Sequence, residues 1–239
     1  MGNIKVAVLS DNLYLTGRFK ELLQTGKLLH QFTFFTKSIS LVESFSDVTI
    51  IDLKKDWKLL LAFDLIFSIH CKQIFPAQLV TERKCINIHP GLNPYNRGWF
   101  PQVFSIINKM PAGATIHEID IELDHGKIIV QKEVEVNTWD TSLSIYNRVL
   151  ETELELLDEY IDRIIEGDYF AVSPEFEGNI NLKKDFNMIC EINLKDRGTY
   201  QEFIDKFRAL NHGEYKNAFF IDPKSGKKIY LRLDLSTED

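Results

Sequence analysis

Apolar runs of strand length alternate with stretches of helical spacing through the first half of the chain. A run with few polar interruptions, such as residues 63–69, is typical of a buried parallel strand. The pattern predicts strands at residues 4–9, 32–35, 48–53, 63–69 and 85–88, and helices at 13–23 and 75–81. This alternation predicts an α/β fold built on a doubly wound sheet.

The hydrophobic pattern continues to about residue 167 and then changes. It predicts a helix at 101–108, strands at 114–118 and 128–136, and a long helix. That helix begins at a cap on Thr141 or Ser142 and ends near residue 165, before Gly167.

The last 70 or so residues have a different character, with a loop that contains Pro174 and Gly178. The pattern predicts a strand at 188–194, a helix at 199–210, and strands at 218–221 and 229–235 joined by a turn at 222–226. We therefore expect one domain over residues 1–167 and a small α+β subdomain over 168–239 that ends in a β-hairpin.

Composition excludes several classes of protein. The formal net charge of −7, from 28 basic and 35 acidic residues, argues against a surface that coats nucleic acid. No apolar run is long enough for a membrane span, and the N-terminus lacks the regions of a signal peptide. The three cysteines are scattered without ligand spacing, so we expect no metal site and a cytoplasmic protein.

The motifs G-x-G-x-x-G, G-x-x-x-x-G-K-[ST] and G-x-S-x-G are absent. The most informative segment is instead 85–91, where Asn87 and His89 stand two residues apart on a predicted strand that Pro90 and Gly91 end. Their side chains project from one face, at the edge of the sheet where ligands bind. An amide can donate to an oxyanion, and an imidazole can exchange a proton near neutral pH. The alternative is that both side chains merely satisfy local backbone groups.

A carboxylate further along the chain changes the balance between these alternatives. Asp124 lies beside Gly126 after the next predicted strand, where it could orient His89 or relay a proton. By itself an Asp before His-Gly is typical of a turn. Three such groups at one sheet edge favour a catalytic site.

These residues carry a specific resemblance. The segment 87–92, N-I-H-P-G-L, followed by L-D-x-G at 123–126, is similar to the signature of the folate-dependent formyltransferases. The resemblance covers roughly residues 4–167. It implies a Rossmann-like, mostly parallel sheet, 10-formyltetrahydrofolate as the donor, and Asn87, His89 and Asp124 as the catalytic residues. It implies donor contacts at Ser68, His70, Lys72, Gln73, Ile74, Ile119, Asp120 and Glu122.

The loop at 93–102 and the tail segments at 206–212 and 215–220 resemble the N-formyltransferases that act on dTDP-linked amino sugars. In that subgroup, cationic side chains would hold the pyrophosphate and an aromatic ring would stack on the base. The substrate contacts that this implies are Pro90, Gly91, Tyr95, Asn96, Arg97, Gly98, Trp99, Arg208, Tyr215, Lys216 and Asn217.

The resemblance implies formyl transfer to the amine of a dTDP-linked amino-dideoxy sugar, with dTDP-4-amino-4,6-dideoxyglucose first and 3-amino isomers next. Such a product serves surface polysaccharide (O-antigen) biosynthesis. In the expected mechanism Asn87 and a protonated His89 stabilise the oxyanion, while either His89 or Asp124 takes the amine proton. The partners are then a nucleotide sugar, a folate and a second copy of the chain. Two alternatives stay open: a methionyl-tRNA formyltransferase-like enzyme, and a non-catalytic nucleotide-sugar binder on the same fold.

Overall fold

The computed structural model describes residues 4–25 and 30–238. The first three residues, part of the segment in which no signal peptide is predicted, lie outside this range. The strands of the N-terminal part are β1 (Lys5–Ser10), β2 (Gln31–Thr36), β3 (Val48–Ile50), β4 (Leu65–Ile69), β5 (Lys84–His89), β6 (Arg97–Gly98), β7 (Ala112–Glu118) and β8 (Ile128–Val134). The helices there are α1 (Leu13–Thr25), α2 (Ile39–Ser44), α3 (Leu53–Asp56), a 3₁₀ helix (Trp57–Ala62), α4 (Ala77–Glu82), α5 (Pro101–Asn108) and α6 (Ser142–Glu166).

Seven of these strands form one sheet in the order β3-β2-β1-β4-β5-β7-β8. The pairs from β3 to β5 are all parallel, whereas β7 and β8 are antiparallel to their neighbours. The order reverses between β1 and β4, which places a crevice outside the carboxyl ends of these two strands. The predicted Rossmann-like, mostly parallel α/β fold is thus confirmed.

The core strands are buried on both faces, as their apolar sequences predict. β4 and most of β1 are fully buried, and the sheet is covered on one side by α6. α6 begins at Thr141, whose side chain accepts a hydrogen bond from the Ser144 backbone N–H, and it ends at Gly167 in the left-handed region at φ 74°. Both predicted ends of this helix are therefore confirmed.

The C-terminal part contains β9 (Ile180–Asn181), α7 (Lys183–Cys190), α8 (Tyr200–Leu210) and a hairpin of β10 (Phe219–Ile221) and β11 (Lys228–Tyr230). The predicted strand at 188–194 is wrong, because α7 occupies residues up to Cys190. Asp185 explains the start of this helix, since its carboxylate accepts from the Leu182 N–H at 2.7 Å. α8 and the presence of a hairpin agree with the sequence, but the strand predicted at 229–235 ends at Tyr230 in β11.

Two smaller differences concern where a strand ends and which strands pair. The predicted strand at 48–53 stops at Ile50, because Asp52 caps α3 by accepting from the Lys54 N–H. The two-residue pairing of β6 with β9 was not predicted; it ties the loop after β5 to the chain beyond α6. Among the residues described here, no helix is both long and apolar enough to cross a membrane.

Candidate active site

The end of β5 and its antiparallel neighbour β7 bring the predicted polar residues together. Asn87 lies opposite His117 across the two strands, and its amide nitrogen is 3.2 Å from His117 Nε2. The same nitrogen donates to Asp124 Oδ1 at 3.1 Å. His89 Nδ1 lies 3.6 Å from Asp124 Oδ2. The structure therefore places Asn87, His89 and Asp124 in one cluster and adds His117 to it.

Asp124 is held in an unusual backbone conformation. Its φ of 48° lies in the left-handed region, which an aspartate tolerates better than most residues. Its Oδ2 accepts from the Gly98 N–H at 3.1 Å, and its carbonyl accepts from the Asn93 amide at 2.9 Å. Both carboxylate oxygens of Asp124 therefore accept hydrogen bonds, and these bonds orient the carboxylate.

The turn after His89 is equally constrained. The Thr115 hydroxyl donates to the Gly91 carbonyl at 2.7 Å and accepts from the Asn93 N–H at 3.0 Å. A Cβ on Gly91 would lie 2.5 Å from His89 Nε2, so glycine leaves the room that the imidazole occupies. Pro90, which lies between His89 and Gly91 in the sequence, is half-buried. These two predicted substrate residues therefore shape the wall beside His89.

Burial sets the protonation state of the two histidines. It lowers the pKa of His89 below 6.5, and the nearby Asp124 carboxylate opposes that effect. Burial likewise lowers the pKa of His117 to about 4. Burial therefore favours the neutral form of His89 in the resting site. Among the residues that the structure describes, its buried Nε2 has no hydrogen-bond partner.

His117 is a site residue that sequence reasoning missed. Its Nδ1 lies 2.7 Å from the Glu118 carbonyl, to which a neutral ring donates from that nitrogen. Nε2 is then an acceptor for the Asn87 amide. The only signal in the sequence was a histidine inside an apolar strand, and its position opposite Asn87 depends on the β5–β7 register.

The predicted donor residues after β4 separate into two groups. Lys72, Gln73 and Ile74 line a cleft of about 810 Å³ together with Asp11, Lys37, Ser38, Leu53 and Lys54. Ile74 is 83% exposed there. Ser68 is buried in β4. His70 instead turns towards α6, where its Nε2 lies 2.8 Å and 2.9 Å from the two carboxylate oxygens of Glu153.

The predicted donor residues before Asp124 lie on the loop between β7 and β8. Ile119 packs against the core, whereas Glu122 is exposed. Asp120 lies 2.8 Å from His125 Nδ1, and this contact raises the pKa of His125. The loop also carries Ile121, which is 75% exposed. An exposed apolar side chain of this kind is suited to contact with a ligand.

Two predicted substrate residues of the loop after β5 are buried and bonded within the protein. Asn96 is fully buried, and its side-chain Oδ1 accepts from the side-chain amides of Asn108, Asn179 and Asn181. Arg97 is buried and paired with Glu177. These contacts hold the loop against the segment that contains β9.

Three further predicted residues of this loop have individual surroundings. Tyr95 is half-buried against the Phe176 ring at 5.4 Å. Trp99 lies under the Lys183 ammonium at 5.3 Å. Gly98 adopts φ 93° and approaches Asn181 so closely that a Cβ would lie 2.4 Å from its carbonyl oxygen.

The predicted tail residues also divide by exposure. Arg208 is buried, donates to Asp205 at 2.7 Å, and donates to the carbonyls of Asn137 and Asp140. Its guanidinium therefore stabilises the packing of α8 and offers no free cation to a ligand. Tyr215 is 73% exposed and Lys216 is exposed, whereas Asn217 donates to the Leu210 carbonyl.

Comparison with known proteins relates this chain to formyltransferases. The chain matches the formyl transferase family over residues 53–161 and the N-formyltransferase dimerization C-terminal domain over residues 185–237. A dTDP-4-amino-4,6-dideoxyglucose formyltransferase of Mycobacterium tuberculosis is 52% identical over 176 residues, which are 74% of this chain and 75% of that protein.

Solved structures extend the match over the whole fold. A 4-N formyltransferase from Francisella tularensis is 45% identical with a TM-score of 0.93, over 98% of this chain and 99% of that chain. A formyltransferase from Anoxybacillus kamchatkensis, solved with UDP-4,6-dideoxy-4-formamido-L-AltNAc and tetrahydrofolate, is 27% identical with a TM-score of 0.62, over 86% of this chain and 98% of that chain. On this combined evidence the chain belongs to the folate-dependent formyltransferase family.

Proposed function

We propose that this chain moves the formyl group of 10-formyltetrahydrofolate to the amine of a dTDP-linked amino-dideoxy sugar, with dTDP-4-amino-4,6-dideoxyglucose as the acceptor. The observation that carries the reaction is the cluster of Asn87, His89 and Asp124 at the carboxyl edge of the sheet. The acceptor is supported by the Mycobacterium tuberculosis relative, whose similarity spans three quarters of each chain.

His89 is the group that takes the amine proton in this proposal. Among the described residues its buried Nε2 has no hydrogen-bond partner, and the lowered pKa favours the neutral ring that can accept a proton. Asp124 accepts from Asn87 and from the Gly98 N–H, which holds its carboxylate beside Nδ1. The Asp124 carboxylate stabilises the imidazolium that forms when Nε2 takes the amine proton, as a triad carboxylate does. The imidazolium then gives this proton to the folate nitrogen that leaves when its bond to the formyl carbon breaks.

Asn87 supplies the donor for the developing oxyanion. Its amide hydrogens point at His117 and Asp124 in the resting site. His117 accepts one of them at Nε2, because its own Nδ1–H is used by the Glu118 carbonyl. The carboxamide is planar and its hydrogens move together, so a turn of the whole Asn87 side chain directs one of them at the formyl oxygen as charge builds there.

The donor fits the cleft beside Lys72, Gln73 and Ile74. The cleft is large enough for a bicyclic ring, and Ile74 offers an exposed apolar side chain in its lining. When bound, the folate supplies the activated formyl carbon. Tyr215 and Lys216, both exposed, are the tail residues proposed to contact the nucleotide.

The test is formylation of a panel of acceptors with 10-formyltetrahydrofolate, followed by mass spectrometry. dTDP-4-amino-4,6-dideoxyglucose should gain one formyl group faster than its 3-amino isomers, and charged methionyl-tRNA should gain none. Formylation of the tRNA would favour the methionyl-tRNA alternative, in which case the net charge of −7 would be a poor guide. Binding of donor and sugar without any product would favour a non-catalytic binder.

We also propose that the chain acts in the cytoplasm as a homodimer. The match of residues 185–237 to a dimerization domain supports the dimer, as do exposed apolar residues there. Met188, Tyr200, Ile229 and Tyr230 are between 39% and 89% exposed. Light scattering after size-exclusion chromatography should give twice the 27.8 kDa chain mass.

A further inference from the structure

Glu153 is a fully buried carboxylate that the proposed reaction does not use. It lies on α6 with no exposed surface, and its hydrogen-bonding partner is His70, at 10% side-chain exposure. Burying such a pair costs more free energy than an apolar pair of similar volume. A group retained at that cost points to a role beyond packing.

His70 is also strained. Its φ of 51° lies in the left-handed region that a histidine seldom adopts. This conformation turns the side chain away from the donor cleft and onto Glu153. The register of β4 on β5 pairs Ser68 with Asn87 and Ile69 with Ile88, so His70 follows directly beside His89.

Two more polar side chains complete a cluster above Glu153. The Asn12 amide donates to the Tyr146 hydroxyl at 3.0 Å and lies 3.4 Å from His70 Nδ1. The Tyr146 hydroxyl lies 3.3 Å from the same nitrogen. Asn12 and Tyr146 are both partly exposed. We call Asn12, His70 and Tyr146 the polar cluster; it lies where the strand order reverses between β1 and β4.

A row of rings leads outward from the polar cluster. The Tyr146 ring lies 6.0 Å from His70 and 5.4 Å from His212, and His212 lies 5.8 Å from exposed Tyr215. The row therefore joins the sheet edge to the tail residue proposed to contact the nucleotide. Its inner end is close to the catalytic cluster and its outer end is in solvent.

The charged groups around the row of rings indicate which part of the acceptor binds at its inner end. In the described part of the chain, no lysine or arginine is hydrogen-bonded or ion-paired to the polar cluster or to Glu153. The negative charges of Glu153 and Asp124 disfavour a phosphate at the inner end. Amide, phenol and imidazole groups suit the hydroxyl and amine of a sugar.

We propose that the polar cluster binds a sugar hydroxyl next to the reacting amine, and that Glu153 is a positioning residue that holds His70 for it. This inference rests on the proposed function. It assigns His70 to the acceptor rather than to the folate. It also makes the cluster the place where a 4-amino sugar is distinguished from its 3-amino isomers.

Kinetics of Tyr146→Phe and Glu153→Gln test the inference. Each substitution keeps the side-chain shape, with Tyr160→Phe and Glu159→Gln, further along α6, as controls. Initial rates are measured with the nucleotide sugar varied at saturating 10-formyltetrahydrofolate, and then with the donor varied. We expect the KM for the sugar to rise roughly tenfold in both variants. The KM for the donor and both controls should stay at wild-type values, and the preference for the 4-amino isomer should fall.

The outcomes separate the two proposals. If the wild-type chain formylates no dTDP-amino sugar, the proposed function and this inference both fail. If it is active but the sugar KM is unchanged in folded Tyr146→Phe, the inference alone is overturned. An equal rise in both KM values would likewise assign the cluster a merely structural role. Circular dichroism confirms folding, and Tyr146→Phe serves as the milder variant should Glu153→Gln unfold.

Discussion

Acid should destabilise this protein through His117, a residue that the proposed chemistry needs in its neutral form. The ring is 1% exposed, and burial lowers its pKa from 6.5 to about 4. The unfolded chain therefore binds more protons than the folded chain between these two values. The stabilisation is complete above pH 6.5 and is lost as the pH falls towards 4.

The size of the effect follows from the pKa difference. A shift from 6.5 to about 4 corresponds at most to about 3 kcal/mol of unfolding free energy. Between about pH 7.5 and pH 5 the expected loss from His117 alone is about 2 kcal/mol. His89 and His212 have pKa values that burial lowers in the same direction, so they add to the total acid sensitivity.

Urea unfolding of wild type and His117→Gln at several pH values isolates this contribution. The glutamine cannot titrate, so the variant should start less stable at pH 7.5 but lose about 2 kcal/mol less on acidification. His125→Gln is the control, because contact with Asp120 raises the pKa of His125 and its removal should not reduce the acid loss. If the free energy of unfolding falls by the same amount with pH in wild type and in His117→Gln, the reasoning is refuted.

Three further predictions concern single side chains. Asn87→Ala should lower turnover by roughly 10²–10³ while the protein stays folded, and a folded variant with near-normal turnover would remove Asn87 from the mechanism. Gly91→Ala places a Cβ 2.5 Å from His89 Nε2 and should cost roughly 10² in turnover, whereas Gly17→Ala, whose Cβ meets only ordinary contact, should keep activity in the same assay. Arg208→Met leaves a buried carboxylate unpaired and should destabilise the protein by roughly 3–5 kcal/mol in urea unfolding, a loss that a solvent-exposed arginine would not show.

Much of this fold was predictable because local and global signals agree. The spacing of Asn87 and His89 on a strand, the cap at Thr141 and the glycine at 167 each depend on neighbours within a few residues. The strand predicted at 188–194 was wrong because a short apolar run fits the spacing of a strand and of a helix equally well. Here Asp185 caps the start of a helix, which the apolar run then continues.

The rest of the site depends on pairings across long sequence separations. His117 meets Asn87 through the antiparallel register of β7, and Glu153 reaches His70 from a helix that begins more than 70 residues later. Periodicity contains no information about either contact. The same applies to Arg208, whose charge suggested a ligand contact although buried partners already hold it.

The left-handed backbone at Asp124 has a consequence for which residues this position can accept over evolution. A φ of 48° favours glycine, asparagine and aspartate at this position before any chemistry is considered, because most other side chains are strained there. Glycine and asparagine are the replacements that this backbone accepts at least cost, and both lack the negative charge. The least strained changes from aspartate therefore remove the charge while they preserve the shape, so a relative that lost catalysis here could keep the whole fold and become a binder in one mutational step.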